Sequence, residues 1–195
     1  MTPSILALDV AGTPRKWINA EAAICYHAKS LVVWSLGEDV ILYRGGISRM
    51  TGNQSIITSP SIIAIKGTDF NPTKFAKISL NNKALFARDR NMCAYCGQMH
   101  EGLRLSRDHI IPISRGGQNK WMNCVTACKR CNTLKNDRTL DEAGMELLYL
   151  PYIPVHNEYL ILQNRNCLAD QMDYLMAGLP KHSRVFEMMK DRKAA

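Results

Sequence analysis

The chain reads as an α+β protein built around a β-hairpin that runs into a helix, with a small α+β unit before it and a helical tail after it. Three observations predict this. Residues 93–135 hold two strand-like runs on either side of a Ser114-Arg115-Gly116-Gly117 turn signal, and a helix-forming run follows the second. Short apolar runs separated by turn residues fill the first 65 positions. Apolar residues at helical spacing dominate beyond residue 139. The expected divisions are 1–75, 76–150 and 151–195.

Taken in order, Ser4–Leu8 is a strand ended by Asp9 and the Gly12-Thr13-Pro14 turn. Asn19 caps a helix over Ala20–Lys29, on whose face His27 sits without a neighbouring ligand. Leu31–Ser35 and Val40–Tyr43 are two strands around a Gly37-Glu38-Asp39 turn, and the polar, Gly-bearing stretch 45–55 is a loop. Ile56-Ile57 and Ile62–Ile65 form a further pair of short strands near Pro60. Thr68–Lys77, with its Asn71-Pro72 step, is a linker. Ser79 or Asn81 caps a helix through Arg88 that delivers the chain to Cys93. Past the core, Thr139-Leu140-Asp141-Glu142 has the pattern of a capping box and opens a helix to about Tyr149, stopped by Pro151. One or two helices over Glu158–Leu179 and a short one over Val185–Lys190 complete the tail, with His156 and His182 on the surface.

The central stretch carries the chemistry. Cys93/Cys96 and Cys128/Cys131 are two CxxC pairs separated by residues 97–127. Four thiolates suit a tetrahedral Zn²⁺, and a full set of protein ligands leaves no open position for water, so such a zinc is structural. Four apolar buried thiols or a redox dithiol are the other readings; a redox pair leaves the second CxxC without a role. Asp108 and His109 lie between the pairs. As neighbours on a strand they point to opposite faces, so a bend or bulge at that step is expected if both serve one site. Trp121–Ala127 is the return strand, with Trp121 a packing residue, and Asn132-Thr133-Leu134-Lys135 begins the helix.

The cysteine brackets, DHIIPISRGG, N-x-V-x-A-C and CN-x-x-K together resemble the HNH endonucleases over about Ala84–Met145. The N-terminal strand, Gly-x-Pro turn and helix resemble, more loosely, the part preceding the core in one group of bacterial HNH proteins. The resemblance implies a ββα-metal core and a metal-dependent DNA endonuclease that hydrolyses phosphodiester bonds. It implies that Asp108 and Asn132 hold the catalytic divalent ion, that His109 is the general base, and that Asn123 braces the loop carrying it. Where the motif's last letter is often histidine, this chain has Asn132, a neutral oxygen donor that favours Mg²⁺ or Mn²⁺ over a second Zn²⁺. Two other readings share these residues: a zinc-stapled nucleic-acid-binding module that does not cut, and an RNase.

Charge supports a polyanionic partner. The formal net charge is +8. Residues 83–140 carry 11 Lys/Arg against 4 Asp/Glu, whereas residues 141–195 carry 6 against 8. Arg107, Arg115, Lys120, Lys129, Arg130 and Lys135 are the candidate nucleic-acid contacts, with Arg88, Arg90 and Arg104 nearby, and Lys135 could steer a phosphate beside the site. The expected partner is DNA, with a homodimer or protein partner through either extension as a further possibility. No charged-then-apolar leader opens the chain and no apolar run approaches the ~20 residues of a membrane span. With Cys25, Cys124 and Cys167 left over as free thiols, the expected compartment is the reducing cytoplasm.

Overall fold

The computed structural model describes residues 3–67, 78–164, 166–181 and 183–186. The linker expected over 68–77, His182 and most of the helix expected at 185–190 lie outside them. The chain divides into two compact units, one of residues Met1–Lys77 with His156–Lys181, the other of Ile78–Val155 with His182–Ala195.

In the first unit, β1 (Ile5–Leu8) and β2 (Pro14–Ile18) form an antiparallel hairpin. Asp9 closes it, because its Oδ1 accepts from the backbone N–H groups of Ala11 and Thr13. Helix α1 (Ala20–Ala28) follows, with the Asn19 side chain accepting from Ala22 N. The chain then runs through β3 (Val32–Ile47) and β4 (Gln54–Ile65), giving the sheet order β2-β1-β4-β3 with β1 and β4 parallel. Ile5, Ala7, Ile18, Ala23, Ile41, Ile63 and Ile65 form its core.

Two expectations are corrected here. The four short strands and the 45–55 loop are two long strands, with only a tight turn around Ser48–Gly52 between them. Gly37 does not end a strand; its φ of +89° sits beside a register shift between Leu36 and Asp39, so the ladder absorbs it as an irregularity. Pro60 is tolerated inside β4 because it faces Asp39 at that irregularity, where a missing N–H costs little.

The tail forms two helices, α5 (His156–Gln163) and α6 (Ala169–Ala177), which belong to this unit. Trp17 Nε1 donates to Leu160 O at 2.9 Å, and the fully buried Gln171 donates through Nε2 to Ser4 O and Ser61 O, each at 2.8 Å. Asp170 meets the Ser61 hydroxyl beside Gly37, whose φ of +89° favours glycine. His156 is half-buried rather than on the surface. Burial pushes its imidazole below its ordinary pKa, against the raising effect of hydrogen bonds with the backbone of Pro14 and Arg15. On α1, His27 Nε2 reaches Ser59 Oγ at 3.1 Å.

The second unit begins with α2 (Asn82–Arg88), capped by Asn81. Strands β5 (Leu105–His109) and β6 (Cys124–Cys128) pair antiparallel and lead into α3 (Lys129–Lys135), the hairpin-then-helix order. Three boundaries differ from expectation. The return strand starts only at Cys124, since Trp121–Asn123 make a 3-10 turn. Helix α3 starts at Lys129 rather than Asn132, because Cys128 Sγ accepts from Cys131 N and serves as its cap. The helix after Thr139 is the short α4 (Leu140–Ala143), which does carry the expected capping box but stops at Gly144 with φ +60°.

Arg88 organises the interior of this unit and does not contribute to its basic surface. Only 1% exposed, it forks onto Asp89 with Nε and Nη2, and its Nη atoms also donate to the carbonyls of Trp121, Cys124 and Tyr152. Trp121 and Tyr152 stack over its guanidinium, and Trp121 is buried as expected. Asp89 Oδ2 accepts from Thr126 N, which ties the helix end to β6.

Candidate metal centre and hydrolytic site

The four bracketing cysteines converge. Their sulfurs lie within 4.8 Å of one another, compatible with the spacing of about 3.8 Å that a regular tetrahedron of ~2.3 Å Zn–S bonds would impose. Cys93, Cys128 and Cys131 are buried and Cys96 is exposed. Burial pushes the Cys93 thiol up, but hydrogen bonds with the backbone of Cys128, Cys96 and Tyr95 outweigh it and hold the group at about 7. Burial pushes the Cys96 and Cys131 thiols the other way, up; what fits Zn²⁺ is the convergence of four sulfurs at one point. All seven cysteines are free of disulfides. Because Cys128 ends β6 and caps α3, this cluster fixes the junction from which Asn132 projects one helical turn later.

Asp108 and His109 close β5, opposite Val125 and Cys124, with no register shift between them. The expected bulge is absent. The two residues nevertheless line one cavity of about 280 Å³ at the strand end, with Arg107, Pro112, Ile113, Ser114, Asn132, Asn136 and Asp137 as the other walls. That cavity brings Asp108, His109 and Asn132 together.

Each is held by specific partners. The nearly buried Asp108 receives a hydrogen bond from the Tyr95 hydroxyl on Oδ2, and Lys135 Nζ lies 3.3 Å from both of its carboxylate oxygens. Burial first, then the bond to Asp108, pushes the Tyr95 phenol far above its usual pKa, so it remains a donor. Asn132 Nδ2 donates to Ser106 Oγ at 2.8 Å, which directs the amide nitrogen away and leaves Oδ1 as its metal-capable atom.

His109 Nε2 lies 3.3 Å from Asn119 Oδ1. That oxygen also accepts from Arg107 Nη1 at 2.7 Å, which fixes the amide orientation. Nε2 is therefore the protonated nitrogen, and Nδ1 keeps its lone pair.

Asn123 holds the loop between them. Its Oδ1 accepts from Ile111 N, and its Nδ2 donates to Ile111 O and Gln118 O, at 2.9, 3.0 and 2.9 Å. The turn closes tightly: Gly116 has φ +86°, and a Cβ on Gly117 would lie 1.8 Å from Ile111 O.

Of the candidate nucleic-acid contacts, Lys120, Lys129 and Arg130 are exposed. Arg115 is exposed but paired with Glu142 at 2.6 Å, and Arg107 is half-buried and donates to Asn82 and Asn119. Lys135 is corrected. It is fully buried, and with 2.7 Å to His109 O and 3.3 Å to Asp108 its ammonium faces the carboxylate rather than solvent, so it presents no charge to a phosphate.

Sequence reasoning missed Tyr95, Ser106 and Asn119. Tyr95 had one available signal, its place inside the first CxxC; the other two are ordinary polar residues whose partners are set only by the fold.

Among the described residues, no helix is long and apolar enough to cross a membrane. No curated protein matches the chain. The family model described as HNH endonuclease matches residues 93–148, the stretch that holds both the four-cysteine cluster and the cavity of Asp108, His109 and Asn132, and a nuclease is what that family implies.

Proposed function

We propose that the protein is a metal-dependent DNA endonuclease in which the cysteine-held zinc is structural and the cavity at the end of β5 hydrolyses the phosphodiester. The observation that carries this reading is the shared cavity: an aspartate, a histidine and an asparagine border about 280 Å³ of space. The Asp108 carboxylate and Asn132 Oδ1 are hard oxygen donors suited to Mg²⁺ or Mn²⁺. When bound there, such an ion supplies charge neutralisation for the phosphate and the departing oxygen.

The chain's own residues account for the rest. His109 Nδ1, with its lone pair free, takes the proton of the attacking water. Asn119 holds the ring in the tautomer this needs, at the Nε2 contact of 3.3 Å. Asn123 holds Ile111 and Gln118, and so the loop that follows His109. Lys120, Lys129 and Arg130 attract the polyanion by counterion release, with Arg107 at the cavity wall.

Incubating supercoiled plasmid with the protein and Mg²⁺ or Mn²⁺ tests the reading. Wild type is expected to nick or linearise it, and His109→Ala to lose most of that activity. Binding of DNA without cutting under every divalent ion would instead favour the non-cleaving module, and preferential cutting of labelled RNA over DNA in competition would favour an RNase.

A further inference from the structure

We propose that Tyr95 is a positioning residue through which the zinc cluster sets the geometry of the catalytic carboxylate. This rests on the reading of Asp108 as a ligand of the divalent ion. Tyr95 lies between Cys93 and Cys96, two of the four converging thiols, so its backbone is fixed by the cluster. Its hydroxyl reaches across to Asp108 Oδ2. Lys135 opposes it, centred on both carboxylate oxygens at 3.3 Å and anchored to His109 O at 2.7 Å. The carboxylate is therefore held on one side by the zinc knuckle and on the other by the helix that the same knuckle caps.

Oδ2 accepts the phenol and Oδ1 accepts from Lys135 Nζ, so both oxygens are held and the carboxylate is fixed in rotation, with lone pairs left over for a cation. Groups that orient a ligating carboxylate in this way govern metal affinity as well as turnover, typically by tenfold to a hundredfold. The bland account is that Tyr95 fills space. Its half-buried ring does so, but a ring alone needs no hydroxyl, and this hydroxyl is aimed at the one acid of the cavity that also carries a buried cation.

Tyr95→Phe removes the hydroxyl and leaves the ring. The variant is expected to keep its zinc, by elemental analysis, and to melt close to wild type. Mn²⁺ affinity measured by electron paramagnetic resonance without DNA is expected to fall roughly tenfold to a hundredfold, with plasmid cutting recovering at high Mn²⁺. In the wild-type background, 3-fluorotyrosine placed at position 95 is expected to shift its ¹⁹F resonance on Mg²⁺ addition; this second measurement serves if the Phe variant loses zinc or fold. Unchanged Mn²⁺ affinity in a zinc-loaded Phe variant, or a ¹⁹F signal indifferent to Mg²⁺ that wild type binds, overturns the role of Tyr95 while leaving the nuclease reading standing. Wild type that binds Mn²⁺ no differently from Asp108→Ala overturns the ligand assignment, and this inference with it.

Discussion

Asn123 distinguishes a brace from a ligand through two substitutions that differ little in size. Its amide makes three hydrogen bonds of 2.9–3.0 Å to the backbone of Ile111 and Gln118. A net contribution of about 1 kcal/mol each gives about 3 kcal/mol, and water access to this half-exposed site reduces it to roughly 2. Asn123→Ala should therefore lower the melting temperature of the second unit by roughly 8–16 °C. Asn123→Asp keeps the shape but turns a carboxylate oxygen toward two carbonyls that had been receiving N–H donors. It should destabilise at least as much as alanine, and both variants should lose cutting while retaining zinc. The assay is differential scanning calorimetry beside plasmid cleavage in Mg²⁺. If Asn123 ligated the ion, the aspartate would be the better ligand. An Asp variant as stable and as active as wild type would therefore refute the brace.

Other outcomes follow from the same geometry. Zinc should be present at about one per chain, retained in Asp108→Ala and lost with much of the fold in Cys128→Ser; elemental analysis giving the reverse dependence would exchange the two metal sites. Asn132→Ala should abolish cutting yet keep DNA affinity within roughly tenfold, because exposed Lys120, Lys129 and Arg130 provide most of the binding, as a gel-shift titration would read. Arg88→Met leaves the Asp89 carboxylate buried without its cation and should cost about 3–5 kcal/mol in urea unfolding, with part of that recovered in Arg88→Met/Asp89→Leu. Burial lowers the pKa of His156, and of His27 despite the raising effect of Asp39, below the ordinary 6.5. The unfolded chain then binds more protons than the folded one just below pH 6.5, so this contribution is intact above about pH 6.5 and is lost as pH falls from there through the lowered folded values. Melting curves at pH 7.5 and 5.5 should show the drop, and His156→Gln should reduce it.

The local chemistry was legible in the residues. CxxC spacing announces a four-sulfur site because the ligand count and turn geometry are local properties, and the sulfurs do converge. Caps were nearly as readable: Asn19 and Thr139 each accept from a backbone N–H of the following helix, and of the two candidates Ser79 and Asn81 it is Asn81 that does so, a bond whose partners lie within three residues. The Gly116-Gly117 turn declared itself for the same reason. By itself, then, the sequence determined which atoms are available to ligate, to accept a proton and to cap.

What lay beyond it were the long-range partnerships. Gly37 and Pro60 read as strand breaks, and only the pairing of β3 with β4 lets one long ladder pass over both. Two apolar-patterned tail helices carry no mark of the sheet they join; Gln171 reveals it only by reaching Ser4 and Ser61. Lys135 looked like a surface cation because charge is visible in a sequence and burial is not. The fold placed it against Asp108, 27 positions away, where a buried ammonium requires an acid. Tyr95, Asn119 and Ser106 became part of the site in the same way, since a hydrogen bond across a fold depends on where two backbones meet rather than on what either residue is.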